Sequence, residues 1–246
     1  MSGGAPEGDR QRRERIAENL RAVRERVATA CEKAGRSAQD VTIIAVTKTY
    51  PASDVRILAG LGVTDVGENR DQEAAPKAAA TADLPLTRHF IGQLQTNKAK
   101  SVARYADMVH SVDRERLAAA LGARARIEGR ELCCLVQVNL DPDSAAGVIG
   151  PRGGADPRDV PGLADRIAGE EGLVLGGVMA VAPLGGDPAE AFARLRAVAE
   201  DIRARYPQAR VVSAGMSGDM EAAIENGATH LRVGTALLGD RGPNVG

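Results

Sequence analysis

The sequence alternates. Short runs of β-branched and other apolar residues recur along the chain, and each is followed by a stretch with helical periodicity. The clearest run is Val41-Thr-Ile-Ile-Ala-Val46, apolar nearly throughout, as in a strand buried on both faces. Further strands are expected at 63–67, 87–91, 107–111, 132–139, 173–179, 210–213 and 230–233. Helices are expected at 51–61, opened by Pro51, and near 69–80, 95–104, 113–127, 157–170, 187–205 and 217–226, with Thr235–Gly239 opening a short closing turn. Strands that alternate with helices lie parallel in one sheet. Eight such units in a chain of 246 residues imply a (β/α)₈ TIM barrel, an α/β fold in a single domain over residues 10–246. A doubly wound open sheet is the competing arrangement.

Three segments stand outside the alternation. Ile16, Leu20, Val23, Val27 and Cys31 recur at three- and four-residue steps, which predicts an extra N-terminal helix that stops at Gly35. Residues 1–9 are Gly/Pro/acidic and precede a charged stretch, so they read as a disordered tail and not as a signal peptide. Residues 141–157, rich in Gly, Pro and Asp, follow the fifth strand. They are expected to form a mobile loop on the C-terminal face of the barrel, a candidate gate.

Composition removes several classes of function. Lys+Arg is 32 and Asp+Glu is 33, a net charge of −1. A nucleic-acid binder needs excess cation to displace phosphate counterions, and aromatics at 2% offer no stacking platform. No apolar run approaches the length of a membrane span. Cys133 and Cys134 are adjacent and point to opposite faces of a strand, so they suit neither a bridge nor a shared metal. With Cys31 they leave a reduced, cytoplasmic protein as the expectation. His89, His110 and His230 show no zinc spacing.

Five segments carry candidate chemistry. Lysine is scarce, with Lys33, Lys48, Lys77, Lys98 and Lys100 the only five. Lys48 alone ends a strongly apolar strand, in Val46-Thr-Lys-Thr49. An apolar surround would disfavour its ammonium and free an amine able to attack an aldehyde; an ordinary lysine with its head in water is the alternative. Ser213-Ala-Gly-Met-Ser-Gly-Asp219 and Arg232-Val-Gly-Thr235 follow strands seven and eight, where barrels often build phosphate sites from small, donor-rich turns. Ser217 and Asp219 could instead cap the following helix, and Arg232 could point inward to a ligand or outward to a carboxylate. Asn69 follows strand two and could reach the barrel mouth or cap a helix. His89 and Gln93 could line the mouth, although His89 reads better as a core histidine.

Together these segments resemble a known family. Ala45-Val-Thr-Lys48, Gly67-Glu-Asn69, His89-Phe-Ile-Gly-Gln-Leu-Gln-Thr-Asn-Lys98, Gly215-Met-Ser-Gly-Asp219 and Arg232-Val-Gly-Thr235 occur in the order seen in the pyridoxal phosphate homeostasis proteins. These are single-domain barrels similar to the N-terminal domain of alanine racemase. The likeness spans roughly residues 12–240, with Arg70 standing where many relatives carry an aromatic residue. The resemblance implies that pyridoxal 5′-phosphate is held as an aldimine on Lys48. It also implies a phosphate held by Ser217, Gly218, Gly234 and Thr235, Arg232 at the pyridine nitrogen, and Asn69 near the ring. An arginine has only donors to offer and takes up no proton. The ring nitrogen beside it would stay unprotonated and withdraw electrons weakly.

Racemases of this fold type use a second domain and a partner subunit to supply a second acid/base group. Only seven residues, 240–246, follow Gly239, so no second domain is expected, and a second base would need recruiting within the barrel. Tyr50 is the nearest tyrosine to Lys48 in sequence. The expectation is therefore a monomeric carrier or buffer of pyridoxal phosphate without efficient amino-acid turnover, with dependent apoenzymes as recipients. A racemase or lyase of small amino acids, and a Schiff-base aldolase acting on a sugar phosphate, are the alternatives. A pure interaction protein finds no support in so few aromatics.

Overall fold

A computed structural model describes residues 7–141 and 153–239. Its eight strands form a closed parallel barrel in which each strand pairs with its neighbours in sequence and β1 closes against β8. The strands are β1 Thr42–Val46, β2 Asp65–Glu68, β3 Thr87–Phe90, β4 Met108–Val112, β5 Leu132–Gln137, β6 Leu173–Met179, β7 Val211–Ser213 and β8 His230–Val233. The helices are α1 Glu7–Lys33, α2 Ala52–Gly60, α3 Asp71–Ala80, α4 Ala99–Tyr105, α5 Glu115–Ile127, α6 Val160–Ala168, α7 Pro188–Arg205, α8 Met220–Glu225 and α9 Thr235–Leu238. The closed sheet excludes the doubly wound alternative.

Local chemistry explains these elements. β1 carries Ile43 and Ile44 in a run that covalent sterics favour for strands. Asp187 caps α7 by accepting from Ala189 N–H at 2.9 Å, and Pro188 occupies the first turn, where its missing N–H costs nothing. Gly35 ends the first helix at φ 64°. Helix α1 begins at Glu7, so residues 7–9 of the expected tail are helical; an acidic first turn suits the positive end of the helix dipole. Residues 1–6 lie outside the described residues, as does most of the expected loop over 141–157. Of that loop, Ala155 bridges to Val138 beside β5.

Helix α1 presents Ile16, Leu20, Val23, Val27 and Cys31 as one buried stripe. Each such side chain contributes about 1.5–3 kcal/mol by leaving water. The stripe covers α8 and α9, the helices that follow the last two strands. Polar contacts reinforce the seam. Arg12 pairs with Asp54 at 2.6 Å and donates to Leu238 O at 2.9 Å, and Asn19 donates to Leu237 O at 3.0 Å.

The lower half of the barrel interior holds all three histidines of the chain. Burial, opposed in part by Asp65, pulls His230 down to about 4, with the His89 ring adding to the shift. His230 is therefore neutral in the folded protein at pH values where the unfolded chain protonates it, so acid favours unfolding. Lowering the pH from 7 to 4.5 should cost about 2–3 kcal/mol through this group alone. Denaturant unfolding of the protein and of His230→Gln at both pH values checks this. Equal losses in the two proteins would contradict it.

Candidate ligand site at the barrel mouth

Parallel strands all end on the same face, so the residues that follow them converge there. A cleft of about 450 Å³ opens at that mouth. Lys48 reaches it from the turn after β1, and Asn69 from the turn after β2. Ser217 and Gly218 enter from the turn after β7, Gly234 and Thr235 from the end of β8, and Arg232 from β8 itself. All seven residues singled out in the sequence thus share one wall-to-wall site. Tyr50, Ile91, Val181 and Met216 complete its apolar and aromatic lining. No described lining residue is acidic, while Lys48 and Arg232 are both basic, so the cleft suits an anion.

The donors in the cleft are uncommitted. Among the described residues, Lys48 Nζ, the Asn69 amide and the hydroxyls of Ser217 and Thr235 have no partner. Ser217, Gly218 and Thr235 also donate no backbone hydrogen bond to another described residue. Lys48 itself is exposed. The apolar enclosure expected from its strand is absent, because the strand ends two residues earlier and the lysine rides on the turn beyond it.

Glycine usage separates chain requirements from ligand requirements. Gly215 takes φ 89°, and a Cβ there would lie 2.6 Å from Ala223 Cβ, so the turn after β7 needs it. Gly218 has a negative φ, and nothing lies within 4 Å of a Cβ placed there, whereas a Cβ at Gly234 would touch Val46 at 3.5 Å. The chain does not require glycine at position 218, which lines the cleft. Gly92 works differently: a Cβ there would lie 2.0 Å from Asn69 O, so glycine lets the loop after β3 press against the Asn69 turn.

The turn after β7 is braced from outside. Asp219 precedes α8, but its carboxylate accepts from Met216 N–H at 2.6 Å instead of capping the helix. Arg26 of α1 donates to Ser217 O at 2.8 Å and pairs with Glu221. Asn69 does not cap α3, since Arg70 occupies the capping position. Gln93 lines a neighbouring cleft with Arg70 and Lys98, and His89 is buried in the barrel. Tyr50 lines the site, but its hydroxyl donates to Gly239 O at 2.6 Å.

Arg232 points inward, which strand alternation alone left open. It is 5% exposed and donates to Ser213 Oγ at 2.7 Å and Ala180 O at 2.8 Å, leaving further N–H groups for the cleft. Burial lowers the guanidinium to about 10, which keeps it charged at neutral pH. Behind it runs a buried chain. Ser213 Oγ meets His110 Nδ1 at 2.9 Å, His110 Nε2 meets His89 Nδ1 at 2.9 Å, and His89 Nε2 meets Asp65 Oδ1 at 2.9 Å. Burial, with the His89, Arg232 and His230 charges, holds His110 well below the ordinary histidine value. Burial pushes Asp65 upward, yet hydrogen bonds from His89 and Thr64 outweigh it and leave its carboxyl below the usual range. One assignment gives every hydrogen an acceptor: Ser213 donates to His110, His110 Nε2–H to His89, and His89 Nε2–H to Asp65. Every link then points from the arginine toward the carboxylate. No single-sequence signal announces this chain, because its members lie on five different elements.

The sequence of residues 14–242 matches the family of the alanine racemase N-terminal domain. Over 251 residues the chain is 43% identical to the pyridoxal phosphate homeostasis protein of Mycobacterium tuberculosis, covering 94% of each. The chain belongs to the pyridoxal phosphate homeostasis protein family. Among solved structures, PipY of Synechococcus elongatus with pyridoxal phosphate bound superposes with a TM-score of 0.77 at 35% identity, covering 91% of this chain and 100% of that one. A Bifidobacterium adolescentis protein of unknown function superposes with a TM-score of 0.83 at 31% identity, covering 96% and 98%. Family membership accounts for the order of the five motifs, and the structure shows that all five send residues into one cleft.

The buried chain makes a stability prediction. Ser213→Ala leaves His110 Nδ1 and one Arg232 N–H without a partner, which should cost about 1–3 kcal/mol. Ser213→Thr keeps the hydroxyl and should recover most of it. Urea unfolding of the three proteins checks this, and an alanine variant as stable as the parent would contradict it.

Proposed function

We propose that this protein binds pyridoxal 5′-phosphate as cargo in the mouth cleft and buffers it for the cell. The observation that carries the reading is the convergence of Lys48, Arg232 and the two small-residue turns on one cleft without a carboxylate. The bound ligand in the PipY structure supports it. Lys48 supplies an amine that adds to the aldehyde, and water leaves as the C=N bond forms. Ser217, Gly218, Gly234 and Thr235 offer backbone N–H and hydroxyl donors to the phosphate. Arg232 offers N–H groups to the ring nitrogen, and Asn69 lies beside the ring.

The arrangement favours holding over turnover. Arg232 gives the ring nitrogen no proton, so electron withdrawal from the bound ligand is weak. A two-base reaction needs a second proton carrier, and the tyrosine in the cleft is tied to a backbone carbonyl. Dependent apoenzymes are the proposed recipients. A monomer in a reduced, cytoplasmic compartment fits the free cysteines Cys31, Cys133 and Cys134. It also fits the large exposed apolar side chains of the described residues, which are only Ile127, Leu184 and Met216, too few for an obligate interface.

Two measurements test the reading. The protein mixed with pyridoxal phosphate should absorb in the visible, and borohydride should fix the ligand to Lys48 in a peptide map; Lys48→Ala should stay colourless. An unchanged spectrum in that variant would overturn the assignment. Gly218→Val should weaken pyridoxal phosphate binding by about tenfold, equal to about 1.4 kcal/mol, with little change in melting temperature. Loss of stability without loss of affinity would remove Gly218 from the phosphate site.

A further inference from the structure

Lys48 is a flexible, exposed side chain on a turn, yet the reading above requires its amine to meet one carbon atom. The backbone around it is held by β2, through Thr47 N–H to Gly67 O at 3.0 Å, by its own turn, through Tyr50 N–H to Thr47 O at 3.0 Å, and by α3. Glu73 and Lys77 are four residues apart on that helix and so share a face. Lys77 Nζ donates to Thr47 O at 2.7 Å and to Glu68 Oε1 at 2.6 Å. Thr47 Oγ1 donates to the same Glu68 oxygen at 2.5 Å. Glu73 Oε2 accepts from Thr49 N–H at 2.7 Å, and Glu73 makes a loose pair with Arg70 at 3.8 Å. Thr47 O belongs to the peptide group that enters Lys48, and Thr49 N–H belongs to the one that leaves it. Both peptide groups of Lys48 are therefore fixed by charged side chains of one helix.

The grip also explains a backbone anomaly. Thr49 takes φ 68°, and it is the only non-glycine residue with positive φ among the described residues. A β-branched residue adopts that region only when its surroundings impose it. The bond from Thr49 N–H to Glu73 supplies such an imposition. The Lys77–Glu68 pair lies deeper, at 11% and 10% exposure, so it is shielded from screening and ties the end of β1 to the end of β2.

We infer that Glu73 and Lys77 are positioning residues for Lys48: they lock the two peptide groups that flank it and thereby aim its amine at the aldehyde of the cargo. The inference rests on the proposed binding of pyridoxal phosphate. It concerns the covalent capture alone, since neither residue lines the cleft. That separation gives the test. Pyridoxine 5′-phosphate carries an alcohol in place of the aldehyde, so it uses the ring and phosphate contacts but forms no C=N bond.

The full chain and its Glu73→Ala, Glu73→Gln and Lys77→Met variants are titrated with both ligands, and the rate of borohydride-trappable attachment to Lys48 is followed. Glu73→Ala and Lys77→Met should bind pyridoxal phosphate about tenfold more weakly and attach it more slowly, the scale of one lost charge-assisted hydrogen bond. Both should bind pyridoxine phosphate within about twofold of the parent, the scatter expected of a contact left intact. Glu73→Gln keeps an acceptor oxygen and should recover most of the loss. Lys77→Met leaves Glu68 buried with only the Thr47 hydroxyl and no charged partner; if that variant does not fold, the Glu73 pair decides alone. Equal weakening of both ligands, or no weakening of either, overturns the positioning role. A parent protein that binds neither ligand overturns the cargo reading and this inference with it.

Discussion

A charged guanidinium inside a barrel is the constraint around which this structure is arranged. Arg232 is nearly sealed from water, and an uncompensated buried charge would cost several kcal/mol. The interior answers with Ser213, His110, His89 and Asp65, linked end to end so that the opposite charge lies at the far side of the core. Each hydroxyl or ring that gives away its hydrogen becomes a better acceptor for the next donor. The chain meets the guanidinium with hydrogen bonds, while the charge that acts on it is that of Asp219 on the turn after β7, and the side of Arg232 facing the mouth keeps donors to spare. A carboxylate paired with Arg232 in the cleft would have repelled a phosphate ligand; Asp219, turned onto the Met216 N–H, lies outside the cleft lining.

Much of this was legible in the sequence. Apolar runs such as 41–46 and 173–179 located strands to within two residues, because parallel strands buried on both faces leave a continuous signature. That same signature hides which residues point inward. In a strand with one wet face, alternation would have placed Arg232; in β8 both neighbours of Arg232 are buried too, so parity is silent. The exposure of Lys48 was hidden for a related reason. The composition of β1 says nothing about whether the next residue stays in the sheet or leaves it on a turn. Nothing in the sequence singles out Glu73 and Lys77, since the Thr47, Thr49 and Glu68 groups they bind belong to other elements and meet α3 only in the fold. The family motifs supplied the order of the site residues, and the barrel supplied the reason for it.

Helix α1 extends the same logic outward. A bare barrel would leave α8 and α9 as two short helices, six and four residues long, each too short to hold its own turn in place. The long first helix packs across both. It also reaches past them, with Arg26 on the backbone of Ser217 and with Arg12 and Asn19 on the carbonyls at the end of α9. The chain thus meets itself where its first and last described segments touch, and the two turns that flank the cleft are backed by one rigid rod.

The contrast between two kinds of glycine has a wider meaning. Gly215 and Gly92 are demanded by the path of the backbone, and replacing them would disturb the fold itself. Gly218 is not; the chain could carry a side chain there and remain the same barrel. Stability and recognition are therefore inscribed in separate letters of the same short segments. A lineage could silence or restore ligand capture by one or two substitutions while the scaffold drifted on undisturbed. Loss of binding in such a descendant would leave no trace in its melting curve.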